Sequence, residues 1–379
     1  MNTETTTGFA QRALNHIIEP WSSWENFAFA ITAGARTFTD FTSEFGWPHL
    51  LSTLVLTGMF FLLGRKNGTV GSRSFFEFVC PREIYRHPSA ILDYKFATIS
   101  ASTDLLIHAP VITGISLLVY KMTVYLFSGP WSLKEPFTNH PVATAIALLS
   151  QLMILSDLVY FVSHYLMHKI PLLWTFHQVH HSAEVLTPIS VARVHPVERL
   201  FQAVVRALLG GVGAGLYTSA SDLQISIGTL FGINAALFLF LSFAYNLRHS
   251  HIWFSYGPVL SWLLVSPAQH QIHHSRDPKH HDKNFGLVFA FWDALFGSLY
   301  IPRTREALTY GLAGVPSGKY STVLQLYFSP FVEATHMLLE ALYRIFMKSN
   351  WTRGRVKILS RLEIRVRLRR LDNRTQAPR

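Results

Sequence analysis

The sequence predicts an all-α integral membrane protein: a helical bundle of about 4–5 spans with a cytoplasmic helical cap that holds a histidine-rich dimetal site. Three observations predict it. First, 49% of the 379 residues are apolar and only 15% are charged, where a soluble domain carries about 25% charged residues. Second, several apolar stretches approach or exceed the ~20 residues that cross a bilayer. Third, of 19 histidines, thirteen fall between His164 and His281, under a third of the chain.

Taken in order, residues 1–46 form an N-terminal segment, whose first 20 residues, Met1 to Pro20, lack the basic start and apolar stretch of a cleaved signal peptide. The first span, about residues 47–64, stops at Arg65-Lys66 and would act as an uncleaved insertion signal. A second, about 104–128, is interrupted by Pro110, Gly114 and Lys121, and a third, 141–162, runs on into histidines. The fourth, 200–217, is weakened by Arg206, and the fifth is 223–246. In the fourth, Gly211 and Gly215 are four apart on an apolar helix, which reads as close helix packing rather than as a nucleotide loop. Beyond the spans, 252–265, 288–301 and 323–347 are amphipathic and suit the interface. The expected divisions are 1–46, 47–140 for the first spans, 141–302 for a catalytic domain, 303–350 for amphipathic helices and 351–379 for a basic tail.

Charge orients the chain. The loop 65–95 carries Arg65, Lys66, Arg73, Arg82, Arg86 and Lys95, whereas the next holds only Lys134. Lys169, Arg193 and Arg199 follow the third span, none lies between Tyr217 and Asp222, and Arg248, Arg276, Lys279 and Lys283 follow the fifth. Positive-inside counting puts these basic regions, and every histidine of the cluster, on the cytoplasmic side. The formal charge of +11 is concentrated in the tail, where ten Lys/Arg face only Glu363 and Asp372. On a membrane chain such a block suits an anionic lipid surface, and nucleic acid is not an expected partner. The single cysteine, Cys80, excludes an internal disulfide and a thiolate cluster.

The histidines are patterned. His164 and His168 stand at i and i+4, on one helix face. Asp157, seven residues earlier, is placed to hold a ligand imidazole in one tautomer. Trp174-Thr175-Phe176-His177-Gln178-Val179-His180-His181-Ser182 puts three imidazoles at i, i+3 and i+4, and Ser266-Pro267-Ala268-Gln269-His270-Gln271-Ile272-His273-His274 repeats the pattern. Asn246-Leu247-Arg248-His249-Ser250-His251 lies between them. Eight such donors exceed one ion's coordination number, so two ions are expected, and imidazole suits zinc, copper, iron or nickel. H-E-x-x-H is absent, which removes the general base of a metalloprotease. A centre at the lip of the bilayer suits redox iron acting on a lipid C–H bond. His16, His49, His87, His140 and His336 read as isolated solvated or hydrogen-bonded side chains, His108 as a helix-packing contact and His280 as solvated.

With those motifs and Asn284-Phe285-Gly286, residues 146–302 resemble the fatty acid hydroxylase and sterol desaturase superfamily of membrane di-iron oxygenases. The resemblance implies that His164, His168, His177, His180, His181, His249, His270, His273 and His274 are metal ligands. Where some members have a further histidine this chain has Tyr245. Asp157, His195, Tyr245, Asn246, His251, His281 and Asn284 are the candidates for a supporting position or an extra ligand. The implied cofactors are two iron ions, with O2 as co-substrate, and no catalytic group stands apart from the metal ligands. The implied partners are a fatty acyl, ether-lipid or sterol-like substrate and an external cytoplasmic electron donor, since the sequence shows no flavin, nicotinamide or haem motif. Asp277-Pro278 and Asp282 to Gly286 are similar to the alkylglycerol monooxygenase-like and bacterial sterol-desaturase-like branches, which favours a monooxygenase. A sterol or hopanoid ring desaturase or C-methyl oxidase is the alternative within that chemistry. A non-redox zinc membrane protein or a metal-stabilised scaffold is the alternative outside it.

Overall fold

The computed structural model describes residues 6–36, 39, 46–68, 70–127, 141–221, 242, 245–315 and 318–348. The fifth expected span lies almost wholly outside these residues, and the basic tail 351–379 entirely so. Among the described residues the secondary structure is helical, with one isolated antiparallel bridge between Leu264 and Phe289. The chain divides into two compact units, Met1–Pro330 and Phe331–Arg379.

The helices used below are α1 (Thr6–Ile18), α2 (Trp24–Ile31), α3 (Trp47–Lys66), α4 (Pro88–Thr103), α5 (Ala109–Phe127), α6 (Pro141–Lys169), α7 (Pro171–His181) and α8 (Pro196–Ser221). They are followed by α9 (Gly257–Leu263), α10 (Pro267–His273), α11 (Phe291–Phe296) and α12 (Val323–Lys348). Among the described residues, three helices are long and apolar enough to cross a membrane: Trp47–Lys66, Pro88–Phe127 and Pro196–Leu216. Leu51, Val55, Met59 and Leu62 of α3 are all more than half exposed. An apolar helix that leaves such residues uncovered by protein suits lipid rather than water.

The second expected span begins earlier than its apolar stretch. It is the far half of a continuous 40-residue helix, α4 and α5, joined through a π-turn at Asp104–His108. Pro110 explains the turn. Proline has no N–H to offer the carbonyl four residues back, and its ring crowds that carbonyl. Here the carbonyl is that of Leu106, and the Trp21 indole N–H donates to it at 3.1 Å. A π-turn re-aims the freed carbonyls. Within it His108 bonds Asp104 at 2.7 Å and the Pro196 carbonyl at 3.0 Å, while Arg199 donates to Asp104 at 2.7 Å. His108 is thus a packing contact that fixes the start of α8 to this joint.

Glycine lets α8 approach α5. A Cβ on Gly211 would come within 2.9 Å of Val119 Cβ and 3.0 Å of the Ser116 carbonyl, and one on Gly215 within 2.5 Å of Thr123 Cβ. Close backbone approach of this kind is how apolar helices pack without a hydrophobic driving force between them. The amphipathic stretches 252–265 and 288–301 carry only the short helices α9 and α11. Pro258 starts α9, extended Leu264 ends it, and left-handed Gly297 stops α11.

The segment between α7 and α8 is anchored by a buried arginine. Arg193 Nε and Ser190 Oγ both donate to Asp93 of α4, and Arg193 also reaches the Ser89 carbonyl and hydroxyl and Ser182 Oγ. Both Arg193 and Asp93 are fully buried. A charge pair taken out of water is tolerated only with this degree of hydrogen bonding. Beside it, Val179 on the back of α7 packs with Leu92, Phe96 and Leu326, which sets the α7 face that carries the histidines.

Candidate metal centre

Local sequence builds each histidine-bearing element. α6 ends at Lys169, and Pro171 opens α7 at its first turn, where a missing N–H costs nothing. α10 begins with a reciprocal capping box, Ser266 with Gln269, and Pro267 at its first position. His249 follows a single 3₁₀ turn, Tyr245–Leu247.

These elements bring nine imidazoles into two groups: His164, His168, His177, His181 and His273 in one, and His180, His249, His270 and His274 in the other. Within each group the ring nitrogens lie within 4.8 Å of one another. Each H-x-x-H-H segment therefore divides its histidines. His177 and His181 serve the first group and His180 the second, while His270 and His274 serve the second and His273 the first. Helix geometry explains the split. At about 100° per residue, i+4 lies ~40° to one side of i and i+3 lies ~60° to the other. The face expected to present three imidazoles together straddles both groups.

Hydrogen bonds fix the tautomers. His164 Nδ1 donates to the Phe285 carbonyl at 2.8 Å, His273 Nδ1 to the Lys283 carbonyl at 2.8 Å and His180 Nδ1 to the Arg193 carbonyl at 3.3 Å. Carbonyl oxygens only accept, so each Nδ1 carries the proton and each Nε2 presents a lone pair. His177 Nδ1 donates instead to the Glu198 carboxylate at 2.8 Å. The Nε2 atoms of the grouped rings then face one another. His177 Nε2 is 3.2 Å from Nε2 of both His164 and His181, and His249 Nε2 is 3.3, 3.0 and 3.1 Å from Nε2 of His180, His274 and His270.

His164 and His177, both proton-free at Nε2, cannot bond one another at that distance, and a single proton on His249 Nε2 could serve only one of its three neighbours; a shared cation resolves both crowdings. Imidazole nitrogens bound at about 2.0–2.1 Å stand roughly 3.0–3.4 Å apart, so the residues fit a metal in each group. His168 Nε2 and His273 Nε2 are buried with no hydrogen-bond partner among the described residues. Metal ligation also requires neutral imidazoles. Burial, reinforced by neighbouring rings, holds His180, His181, His270 and His274 well below the ordinary histidine range. Burial takes His249 and His273 to about 3.

The supporting candidates sit elsewhere. Asp157, expected beside an imidazole, accepts from the N–H groups of Val288 and Phe289 and from Trp292 Nε1 at 2.7–3.0 Å. It holds the segment whose Phe285 carbonyl orients His164. Asn284, at a positive φ of 57°, donates to the Gln269 and Tyr300 carbonyls and accepts from Tyr300 N–H. His195 accepts from Val197 N–H at the start of α8 and donates to the Tyr327 carbonyl. His251 donates to the Phe78 carbonyl, and exposed His281 to that of Arg276. Arg248, next to His249, stands 5.6 Å from the Tyr245 ring, and Asn246 is buried. None of these seven belongs to either histidine group. His280, expected in solvent, is buried and bonded to Glu306 at 3.1 Å.

Glu198 was not singled out by spacing. A carboxylate in the first turn of a span-length apolar helix is itself a signal, because charge there needs a partner. The Phe285 ring, 4.9 Å from His168, and Trp174, 5.0 Å from it, wall the first group. A cavity of about 290 Å3 opens onto His168, His181, His273 and His274.

The class defined by fold and site is a helical protein with helices long and apolar enough to cross a membrane and two groups of histidines that could each hold a metal. Residues 149–298 match the family model described as fatty acid hydroxylase. Alkylglycerol monooxygenase of Caenorhabditis elegans is 27% identical over 158 residues, 41% of this chain and 28% of that protein. The Danio rerio alkylglycerol monooxygenase is 29% identical over 156 residues, covering 41% and 31%. Ornithine lipid hydroxylase OlsE of Rhizobium tropici is 25% identical over 162 residues, covering 43% and 44%. The chain thus spans less than half the length of these relatives. No solved structure matches it.

Proposed function

We propose that the protein is a membrane-bound oxidoreductase that hydroxylates a C–H bond of a lipid at two irons held by the nine grouped histidines. The observation that carries this reading is the pair of lone-pair clusters inside a fatty acid hydroxylase domain. The relatives' names support a lipid as the molecule oxidised. When bound, the irons would supply reductive activation of dioxygen: R–H + O2 + 2 electrons + 2 protons gives R–OH + H2O. The electrons come from a separate cytoplasmic donor.

The chain's own residues hold and orient. Glu198 fixes the His177 ring and keeps negative charge beside the first group, a support that tunes ligand basicity. The carbonyls of Phe285, Lys283 and Arg193 fix three further rings. Phe285 and Trp174 exclude water from the His168 side, and the small cavity admits the carbon to be oxidised. The distribution of Arg and Lys supports a centre on the cytoplasmic side.

Metal analysis by mass spectrometry on detergent-purified protein, followed by a lipid product assay with O2 and a reductant, tests this. The reading expects close to two irons per chain and an oxygenated lipid. Zinc that iron reconstitution cannot replace, or no metal at all after reconstitution, would overturn it.

A further inference from the structure

We propose that Arg276 anchors the oxyanion head of an amphiphile, a phosphate or carboxylate on an alkyl chain, at the junction of two cavities beside the metal centre. The inference rests on the lipid reading above and names the chemistry of the substrate's polar end. The small cavity on the histidines is lined by Arg276, Gly311, Leu312 and Val315 among others, and these same four residues line a second cavity of about 690 Å3. Arg276 is the one charged residue common to both. It stands two residues after His274, and its backbone N–H donates to the Thr309 carbonyl at 3.0 Å, which fixes it against the wall between the cavities. Among the described residues no carboxylate pairs with its guanidinium.

The charges around it leave a positive balance. Asp282, the acid of the small cavity, is bound by Lys169 at 2.5 Å. Glu184, the acid of the larger one, has His87 at 4.0 Å, and Lys319 adds a second cation there. A guanidinium fork matches a phosphate or carboxylate through two parallel hydrogen bonds. The larger cavity also offers Leu92, Leu186, Leu308 and Leu312, and its volume is in the range of lipid-sized ligand sites. Those leucines favour an oxyanion that carries a chain over free phosphate. The head at Arg276 and the chain along the leucines place the amphiphile in the larger cavity, which shares Arg276, Gly311, Leu312 and Val315 with the cavity on the histidines.

The test is equilibrium binding of radiolabelled decyl phosphate to the full chain in nanodiscs, without reductant, with metal content measured on the same samples. R276Q is expected to weaken binding by about tenfold or more, the scale of a lost charged hydrogen bond, with metal content unchanged. R276K is expected to recover part of the loss. L312W, which fills the shared wall, should weaken decyl phosphate binding independently. Equal binding by R276Q and the parent protein would overturn the proposal. Displacement by inorganic phosphate at the same concentration as unlabelled decyl phosphate would overturn the lipid part and assign a free-oxyanion site. Binding is read without turnover, so a protein that binds the probe yet oxidises no lipid would sink the oxygenase reading and leave this one standing.

Discussion

The two histidine groups are built from the same sequence pattern and yet stand in different electrostatic surroundings. The first has five imidazoles and a buried carboxylate: Glu198 accepts from His177, while carbonyls hold His164 and His273. The second has four, and the support seen at His180 is the neutral carbonyl of Arg193. Next to His249 stands the Arg248 guanidinium, bonded to the Val265 carbonyl at 3.0 Å. A carboxylate behind a ligand raises its basicity, whereas a fixed cation nearby opposes a bound metal. Repeated ligand spacing therefore does not make two equivalent sites; the neighbours contributed by other elements decide the difference. The first group should hold its metal more tightly.

The largest expected effect comes from cutting each group by itself. H177A/H181A and H270A/H274A are each expected to lose about one metal per chain and keep the other, read by mass spectrometry. Loss of both metals from either variant would show that the groups are one cooperative unit and break the comparison.

Next in size is Arg193→Met, which leaves Asp93 buried without its partner. Removing one member of a buried pair costs about 3–5 kcal/mol. Thermal melting should fall accordingly, and the metal of the second group should be lost first, because His180 leans on the same residue's carbonyl. An unchanged melt would show that the contact of Asp93 with Arg193 is not the anchor inferred from its hydrogen bonds.

Glu198→Gln sharpens the comparison most directly. Supporting partners of this kind are worth about 10–100-fold in metal affinity, so chelator competition should release one metal more readily, with the melting temperature of the stripped protein little changed. Equal release of both would show that the charge on Glu198 does not distinguish the groups. A smaller and purely structural effect is expected of Gly215→Val. Overpacking of this type costs about 1–3 kcal/mol, and the folded fraction should keep both metals. Metal loss from folded protein would mean that the α5–α8 contact reaches the centre.

Much of the architecture could be read along the chain because it depends on local pattern. Trp47–Lys66 is recognisable from unbroken apolar length, Pro196–Leu216 from apolar length despite Arg206, and Gly211 and Gly215 from small residues one turn apart. The start of the Pro88–Phe127 helix was not legible, since Asp93 and Lys95 interrupt its apolar character. Asp93 is spent on Arg193, one hundred residues away in sequence. Asp157 and Glu198 teach the same lesson from the other side. Helical periodicity placed Asp157 near His164 on α6, but its oxygens are taken by the Val288–Trp292 segment. The carboxylate that does meet a grouped histidine comes from α8, which no spacing within α6 or α7 could reveal.

By itself, the sequence determined the residue types of the site, their pairing at i and i+4, and their confinement between His164 and His274. Those are properties of a single helix turn and of chain order. Only the tertiary structure decided how each H-x-x-H-H segment divides, which tautomer each ring adopts and which group receives the carboxylate. An imidazole's partner is chosen by the direction of its two nitrogens in space, and that direction is set by the packing of helices far apart in the chain.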